Sequence, residues 1–151
     1  RDCYISTGNR RIMIEIKIQK ESFNVQEILK NIESKKLSGA MVTFIGSVRG
    51  ESFEKNINNL FIEHYESMAE NIIKSTAKKA VEKWNLSYCY IIHRYGNLKP
   101  SESIVMVVTC SKHRKEAYAA NEYIIDWLKT NAPFWKKEEF NNGSRWVEQS
   151  D

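Results

Sequence analysis

Regularly spaced apolar residues predict most of the structure of this chain. Residues 11–18 place an isoleucine at every second position, which is typical of a strand with one buried face. Residues 25–32 carry apolar side chains three and four positions apart, which predicts an amphipathic helix. Asn24 stands where its side chain can cap the start of that helix.

The same two spacings predict the next elements. Strands are expected at four further places: 39–46, 59–65, 88–95 and 104–110. Helices are expected at about 67–84, with Met68 among the inward residues, and at about 114–130. The last element is a hairpin of 134–140 and 145–148, because the Asn142-Gly143 step supplies the positive φ of a tight turn.

Two polar stretches lack any such spacing. Residues 47–58 are predicted to form a mobile loop, and residues 96–101 a turn. The resulting order, β-α-β-β-α-β-β-α-β-β, indicates an α+β fold with a mainly antiparallel sheet, since short turns favour antiparallel neighbours. A length of 151 residues with 42% hydrophobic content suits a single domain over 1–151, with 1–10 expected as a disordered tail.

Composition narrows the classes of function. The chain has 23 Lys and Arg against 19 Asp and Glu, a net charge of +4. This charge suits an anionic small molecule or an acidic protein partner, and by itself is too small to indicate nucleic acid. No apolar run approaches the roughly 18 residues of a membrane-spanning helix, and no signal-peptide pattern is present, so we expect a cytoplasmic protein. Because the first residue is Arg1 rather than Met, we also expect that an upstream segment has been removed.

The three cysteines give no sign of a metal or disulfide site. They are widely separated, odd in number and without a C-x-x-C pair. Cys89 and Cys110 stand in strand-like apolar runs, which predicts buried small side chains. No Ser-His-Asp order or metal-ligand spacing appears, and His64 and His93 are expected to be hydrogen-bonded residues of the sheet.

Cations flank the helix predicted at about 114–130. His113 and Arg114 stand at its start, where free N–H groups and the helix dipole favour a phosphate. Lys129 stands near its end, about 22 Å away at 1.5 Å per residue, so one head-group cannot contact both. Each feature also has an ordinary structural explanation, because solvated arginines and cations at helix C-termini are common.

The segment after this helix strengthens the case for a site. Alternation in a strand points Phe134, Lys136 and Glu138 to one side, and Trp135 and Lys137 to the other. Lys136 is therefore expected to converge with Lys129 beside an aromatic wall. Partial desolvation lowers the pKa of a lysine, which can then serve as a nucleophile or a general acid or base. Arg49, in the loop predicted at 47–58, could also meet an anion, although no P-loop pattern surrounds it.

Six segments, taken in order, resemble the large, catalytic subunit of molybdopterin synthase. They are GAMVTFIGSVRG (39–50), LFIEHYESMAE (60–70), IIHRYGNLKPSE (91–102), VTCSKHRKEAYAA (108–120), DWLKTNAPFWKKE (126–138) and SRWVE (144–148). The resemblance implies an α/β-hammerhead fold and a homodimer within a heterotetramer, with a small ubiquitin-like carrier bound at each end. The C-terminal Gly-Gly thiocarboxylate of the carrier would give its sulfur to cyclic pyranopterin monophosphate. Two such transfers form the dithiolene of molybdopterin in molybdenum cofactor biosynthesis, and no metal or redox cofactor is implied.

The resemblance also implies roles for single residues. Lys129 and Lys136 match the catalytic lysines, and the residues that match substrate-binding positions are Arg49, His113, Arg114, Lys137 and Glu138.

There are three departures from the family pattern. Ser101 stands where relatives usually have Gly, and Tyr118 where Phe is common. Relatives can carry a further basic residue after residues 146–148, and residues 149–151 offer none, so either Arg145 takes its place or the sequence ends before it; no C-terminal basic contribution is assigned.

Two other classes of function fit parts of the sequence. A non-catalytic adaptor would keep the carrier-binding pocket and lose the lysines or the His113-Arg114 pair, all of which are present. An RNA- or nucleotide-binding domain would interleave exposed aromatics with cations on a sheet face, a pattern that only residues 134–137 fit.

Overall fold

The computed structural model describes residues 2–7, 10–37, 39–52 and 55–148. Its helices are α1 (Val25–Ser34), α2 (Glu66–Trp84) and α3 (Arg114–Asn131). Its strands are β1 (Asp2–Thr7), β2 (Arg10–Gln19), β3 (Ala40–Ser47), β4 (Glu51–Ser52), β5 (Lys55–Asn56), β6 (Asn59–His64), β7 (Tyr88–Arg94), β8 (Gly96–Leu98), β9 (Ser103–Ser111), β10 (Phe134–Phe140) and β11 (Gly143–Trp146). The α+β class is confirmed, and the three helices begin and end within about two residues of their predicted bounds.

The larger sheet has the strand order β1-β2-β7-β9-β3. The pair β2–β7 is parallel and the other pairs are antiparallel, which confirms the mainly antiparallel prediction. Helices α2 and α3 pack on one face, and α1 covers the other through an apolar cluster that includes Ile32. Since β7 is covered on both sides, all its residues are buried, including Cys89 as predicted.

The smaller sheet has the order β11-β10-β6-β8, and its pairs are antiparallel. It contributes Leu60, Ile62, Leu98 and Phe134 to the same core that α2 and α3 cover. The smaller sheet therefore lies against the larger one, and side chains between the two sheets are shielded from water.

Helix α3 is fixed to the larger sheet by buried polar contacts as well as by apolar packing. The Asn121 amide donates to the carbonyl oxygens of Val42 (3.2 Å) and Val107 (3.0 Å), which belong to neighbouring strands. Thr109 donates to the carbonyl oxygen of Ala117 at 2.7 Å. These bonds fix the helix axis and thereby the positions of the cations at both helix ends.

Several predictions of local structure were wrong. Residues 47–58 contain the β4–β5 hairpin, and Val48, Ser52 and Ile57 are buried, because the segment packs against the smaller sheet. The predicted turn at 96–101 begins with β8, which pairs with β6. Met68 is 50% exposed, and the neighbouring Ala69 takes the inward position in α2.

The strand β1 was not predicted, since 1–10 was expected as a tail; it pairs with β2. The Asn24 cap is confirmed, because its side chain accepts from the Glu27 N–H at 3.1 Å. No helix within the described ranges combines the length and hydropathy needed to cross a membrane.

Candidate functional site

A cavity of about 230 Å³ lies between the end of α3, the segment after β3 and the inner side of the smaller sheet. We call it the lysine cavity. Its lining combines three cations and one carboxylate with an otherwise mostly apolar wall. The residues that line it are Ser47, Val48, Arg49, Ile57, Leu60, Ile104, Lys129, Lys136, Glu138 and Val147.

The pleat of β10 explains which of its side chains reach the cavity. Lys136 and Glu138 point inward, two residues apart, and Phe134 precedes them on the same side. Phe134 stacks on His93 with ring centroids 3.9 Å apart, which anchors the start of the strand. Trp135 points the other way and meets the edge of Tyr65. The predicted division of the strand into two faces is confirmed.

Lys129 and Lys136 line the same cavity, as the sequence predicted. Lys129 comes from the last turn of α3, and Lys136 from the strand that follows the turn at Ala132-Pro133. Burial lowers the pKa of Lys136 below its ordinary 10.5, and the nearby charges of Lys129 and Arg49 lower it further. A lysine of this kind gives up its proton more readily than a solvated one.

Glu138 is the anionic member of the site and is only 2% exposed. Its Oε2 lies 3.3 Å from Nε of Arg49, and its Oε1 lies 2.9 Å from Nη2 of Arg145. Buried carboxylates require such partners, because an unpaired charge away from water costs several kcal/mol. Glu138 thus holds one arginine that lines the cavity and one that comes from β11.

The histidines beside the lysines stay uncharged near neutral pH. Burial lowers the pKa of His93 to about 3, and the charge of Lys136 contributes to the shift. Nδ1 of His93 lies 2.8 Å from the carbonyl oxygen of Arg94 and donates to it. Burial also lowers the pKa of His64, against an opposing effect of Glu66. Both histidines lie in strands as predicted, but only for His93 is a side-chain hydrogen bond found, since the buried Nε2 of His64 has no hydrogen-bond partner within the described residues.

His113 and Arg114 lie in a different place. They stand at the start of α3 in an open groove of about 670 Å³, which Gly39, Lys112 and Tyr118 also line. Gly39 has φ +113°, and a Cβ there would clash with the carbonyl oxygen of Ser111, so only glycine allows this close approach. Within one chain, His113 and Arg114 therefore lie apart from Lys129 and Lys136. The predicted length of the helix already implied this separation.

Lys137 lies on the outer face of the smaller sheet, away from the lysine cavity. Its ammonium sits 5.7 Å from the ring centroid of Phe61 and 5.6 Å from that of Trp146. Its Nζ is also 3.7 Å from Oε1 of Glu139. Any contact of Lys137 with a ligand must therefore be made on this outer face.

Sequence reasoning missed the part that Arg145 and Ser52 play. From the sequence, Arg145 stands out only as a substitute for a C-terminal cation, and Ser52 lies in a predicted loop. The register of the predicted hairpin could have revealed the contact between Arg145 and Glu138. The pairing of β10 with β11 sets these two residues directly opposite each other and on the same face. Within the described part of the chain, no group of three or more His, Cys, Asp or Glu could hold a metal ion.

Comparison with known proteins points to one family. A family model described as MoaE protein matches residues 18–131. The chain is 38% identical over 135 residues to the molybdopterin synthase catalytic subunit of Haemophilus influenzae, covering 89% of this chain and 90% of that protein. It is 40% identical over 136 residues to the subunit of the same name from Vibrio cholerae, covering 90% and 91%.

Solved structures agree with these relatives. The molybdopterin biosynthesis MoaE protein from Burkholderia ambifaria matches with a TM-score of 0.78 and 35% identity, covering 92% of both chains. A second match is a protein-protein complex of subunits 1 and 2 of the molybdopterin-converting factor from Helicobacter pylori. That match has a TM-score of 0.75 and 27% identity, and covers 88% of this chain and 90% of the other.

Proposed function

The chain belongs to the MoaE protein family, and we propose that it acts as the catalytic subunit of a molybdopterin synthase. It transfers sulfur from the thiocarboxylated C-terminus of a small ubiquitin-like carrier to cyclic pyranopterin monophosphate. Two transfers form the dithiolene of molybdopterin, a step of molybdenum cofactor biosynthesis. The observation that carries this proposal is the lysine cavity, in which Lys129 and Lys136 meet beside Arg49.

Both lysines have a role in the chemistry of the transfer. The thiocarboxylate sulfur attacks a side-chain carbon of the pterin, a C–S bond forms, and an oxygen substituent leaves that carbon. Water then attacks the acyl carbon, and the acyl–sulfur bond breaks, which leaves sulfur on the pterin and a carboxylate on the carrier. Lys129 and Lys136 stabilise the oxyanion of the acyl group during this attack and move protons between water and the leaving sulfur.

The lowered pKa of Lys136 suits proton transfer. An acid or base works best when its pKa lies near the working pH, and both burial and Lys129 move Lys136 in that direction. The mostly apolar wall of the cavity strengthens the effect, because charges interact more strongly where water is excluded.

Substrate binding is assigned to the remaining cations. Arg49, held by Glu138, faces the pterin in the lysine cavity, and His113 and Arg114 bind its phosphate and ring from the start of α3. Because α3 separates these groups by about 22 Å within one chain, we infer that a second copy of the chain completes each site. Glu138 and Lys137 complete the assigned substrate-contact residues, with Lys137 serving the outer face of the smaller sheet.

The proposed assembly is a homodimer of this chain with one carrier at each end. The complex of two molybdopterin-converting factor subunits from Helicobacter pylori supports the pairing of a large with a small subunit. We place the reaction in the cytoplasm, and the free thiols of Cys89 and Cys110 fit a reducing compartment.

A reconstitution experiment tests the proposed function. The chain is mixed with a thiocarboxylated carrier and cyclic pyranopterin monophosphate, and the dithiolene product is measured after oxidation to a fluorescent pterin. Product should form with a stoichiometry of two carriers consumed per pterin, and a carrier that ends in an ordinary carboxylate should give none. If the chain binds the carrier and yields no dithiolene, the adaptor function is correct and the catalytic one is not.

A further inference from the structure

Glu138 is shared between two arginines that have different surroundings. Arg49 is 54% exposed and meets Glu138 through Nε. Arg145 is 25% exposed and approaches the other carboxylate oxygen from β11. The carboxylate thus joins a substrate-facing cation to a cation of the scaffold.

Arg145 also contacts the β4–β5 hairpin. Its Nη2 donates to Oγ of Ser52 at 3.2 Å, and Ser52 is itself buried. The hairpin is closed at its base by the Ile57 N–H, which donates to the Gly50 carbonyl oxygen at 2.9 Å. Ile57 lines the lysine cavity, and Gly50 follows Arg49 directly, so Arg145 contacts, through Ser52, the hairpin that begins just after Arg49.

Lys136 has no carboxylate partner within the described residues, although Glu138 lies two positions away on the same face of β10. The charged groups around Lys136 are Lys129 of α3 and Arg49 after β3, and the neutral His93 of β7 lies close enough to be affected by its charge. Each oxygen of Glu138 instead lies within ion-pair distance of an arginine. This arrangement keeps the one buried anion of the cavity away from the lysine.

We propose that Arg145 is a positioning residue of the sulfur-transfer site. By occupying Glu138, it holds Arg49 at the cavity and leaves Lys136 without an acidic partner. The inference rests on the proposed function, because it explains how the cations of that site keep their places. Arg145 itself need not touch the substrate.

The loss of Arg145 has a definite electrostatic consequence. A buried carboxylate that loses one of its two cations recruits another, and Lys136 is the cation on the same face of its own strand. An ion pair between Glu138 and Lys136 favours the ammonium form and raises the pKa of the lysine. Arg49 also loses its fixed orientation, since the carboxylate that holds it has moved.

Arg145→Met tests this inference, because methionine keeps much of the length of the side chain and removes its charge. The pKa of Lys136 is measured from the pH dependence of its acetylation by competitive labelling and mass spectrometry, which requires no catalysis. We expect the pKa of Lys136 to rise by about one pH unit. The alkaline limb of the plot of kcat against pH should shift upward by the same amount. We also expect KM for the cyclic pterin to rise roughly tenfold from the misplaced Arg49, which corresponds to about 1.4 kcal/mol.

Three further variants separate positioning from simple support of the fold. Arg145→Lys keeps a charge beside Glu138 and should keep the pKa of Lys136 near the wild-type value. Lys55→Met removes a cation from the same hairpin, one that lies over the Phe140 ring, and should change neither the pKa nor KM. The double variant Arg145→Met with Glu138→Gln removes the carboxylate that lost one of its cations, so it should fold even where the single variant does not, with a low Lys136 pKa.

The outcomes distinguish this inference from the proposed function. If wild-type protein forms no dithiolene, the proposed function fails, whatever the labelling shows. If wild-type protein is active, and folded Arg145→Met has an unchanged Lys136 pKa and an unchanged KM, Arg145 is not a positioning residue. A raised Lys136 pKa that persists in the double variant would also overturn the inference, since Glu138 would then not be its cause.

Discussion

At the scale of single residues, Lys136 is a cation in surroundings that disfavour its charge. It lies in a mostly apolar cavity with two other cations and without a carboxylate partner in the described structure. Such an arrangement destabilises the folded state, and it persists where it serves the reaction.

Replacing this lysine should therefore stabilise the protein while abolishing its activity. The lowered pKa means that the unfolded chain holds a proton more tightly than the folded one, so the ammonium costs stability below the folded pKa. Lys136→Met should raise the free energy of unfolding at pH 7 by about 1 kcal/mol, and the gain should shrink as the pH approaches 10.5. Urea unfolding at pH 7 and pH 10 measures this difference, and Lys137→Met, on the outer face, serves as the control. A loss of stability in Lys136→Met would contradict the account.

Ser101 is a second residue whose conformation lowers the stability of the fold. It adopts φ +72° at the third position of the Lys99–Glu102 turn, which is closed by the Glu102 N–H donating to the Lys99 carbonyl oxygen. Pro100 precedes it, and a type II turn of this kind prefers glycine after proline.

Ser101→Gly should stabilise the fold by about 0.5–1 kcal/mol, because relief of the left-handed backbone exceeds the added entropy of the unfolded chain. Thermal unfolding of the variant measures the effect. Asn85→Gly is the matched control: Asn85 has φ +50°, but asparagine tolerates this region, so its gain should be smaller. A Ser101→Gly variant less stable than the wild type would show that the serine side chain contributes more than the backbone costs.

At the scale of elements, β7 and β10 determine the environment of the cavity. His93 of β7 stacks on Phe134 of β10, so the strand that carries Lys136 is anchored by a neutral imidazole. This anchor depends on pH, because a protonated imidazole cannot remain buried beside a lysine.

The pH dependence of His93 has a definite sign. Its folded pKa of about 3 lies below the ordinary 6.5, so the unfolded state binds the proton first. The contribution of the neutral His93 to the free energy of unfolding is fully present above pH 6.5. It falls by about 1.4 kcal/mol per pH unit as the pH drops from there toward 3. His93→Phe keeps a ring against Phe134 and should lack this slope in urea unfolding between pH 7 and pH 5. The exposed His113→Ala is the control, and an equal slope in His93→Phe and wild type would contradict the assignment.

The elements that the sequence predicted correctly are those with a strong periodic pattern. Helices α1, α2 and α3 have apolar residues at helical spacing, α1 adds the Asn24 cap, and the hairpin of β10 and β11 has an Asn-Gly turn, so local information was sufficient. The short strands β4, β5 and β8 have two or three residues each, too few to show a period. They form because tertiary packing buries Val48, Ile57 and Leu98, which no local pattern reveals.

Some features of the candidate site could likewise be predicted from local patterns, and others could not. Alternation in β10 predicted the shared direction of Lys136 and Glu138, and the helix ends predicted the separation of Lys129 from Arg114. The ion pairs of Glu138 with Arg49 and Arg145 span 89 and 7 positions of the chain, respectively. Such contacts depend on strand register and on the path of the β4–β5 hairpin, neither of which was predicted.

At the scale of the whole molecule, the proposed site is divided between two ends of α3. Lys129 and Lys136 lie at one end, and His113 and Arg114 lie in a groove at the other. If a second copy of the chain completes each site, two inactive variants should complement each other.

Mixing Lys136→Met chains with Arg114→Ala chains, after dissociation and reassembly, should restore up to about a quarter of wild-type activity. Half of the dimers are then mixed, and one of the two sites in each mixed dimer has both an intact lysine cavity and an intact Arg114. Product formation in the reconstituted system measures the recovery, and each variant alone is the control. Absence of recovery in proven mixed dimers would show that the site lies within one chain.

The central claim, that the lysine cavity carries out sulfur transfer, is tested most directly by single-turnover formation of molybdopterin with Lys129→Ala and Lys136→Ala. The assay supplies pre-bound thiocarboxylated carrier and saturating cyclic pterin, so that carrier binding does not limit the rate. The account predicts that each variant folds and binds the carrier but forms product at least about a hundredfold more slowly than wild type. Rates within about threefold of wild type for both variants, a difference of less than about 0.7 kcal/mol, would contradict it.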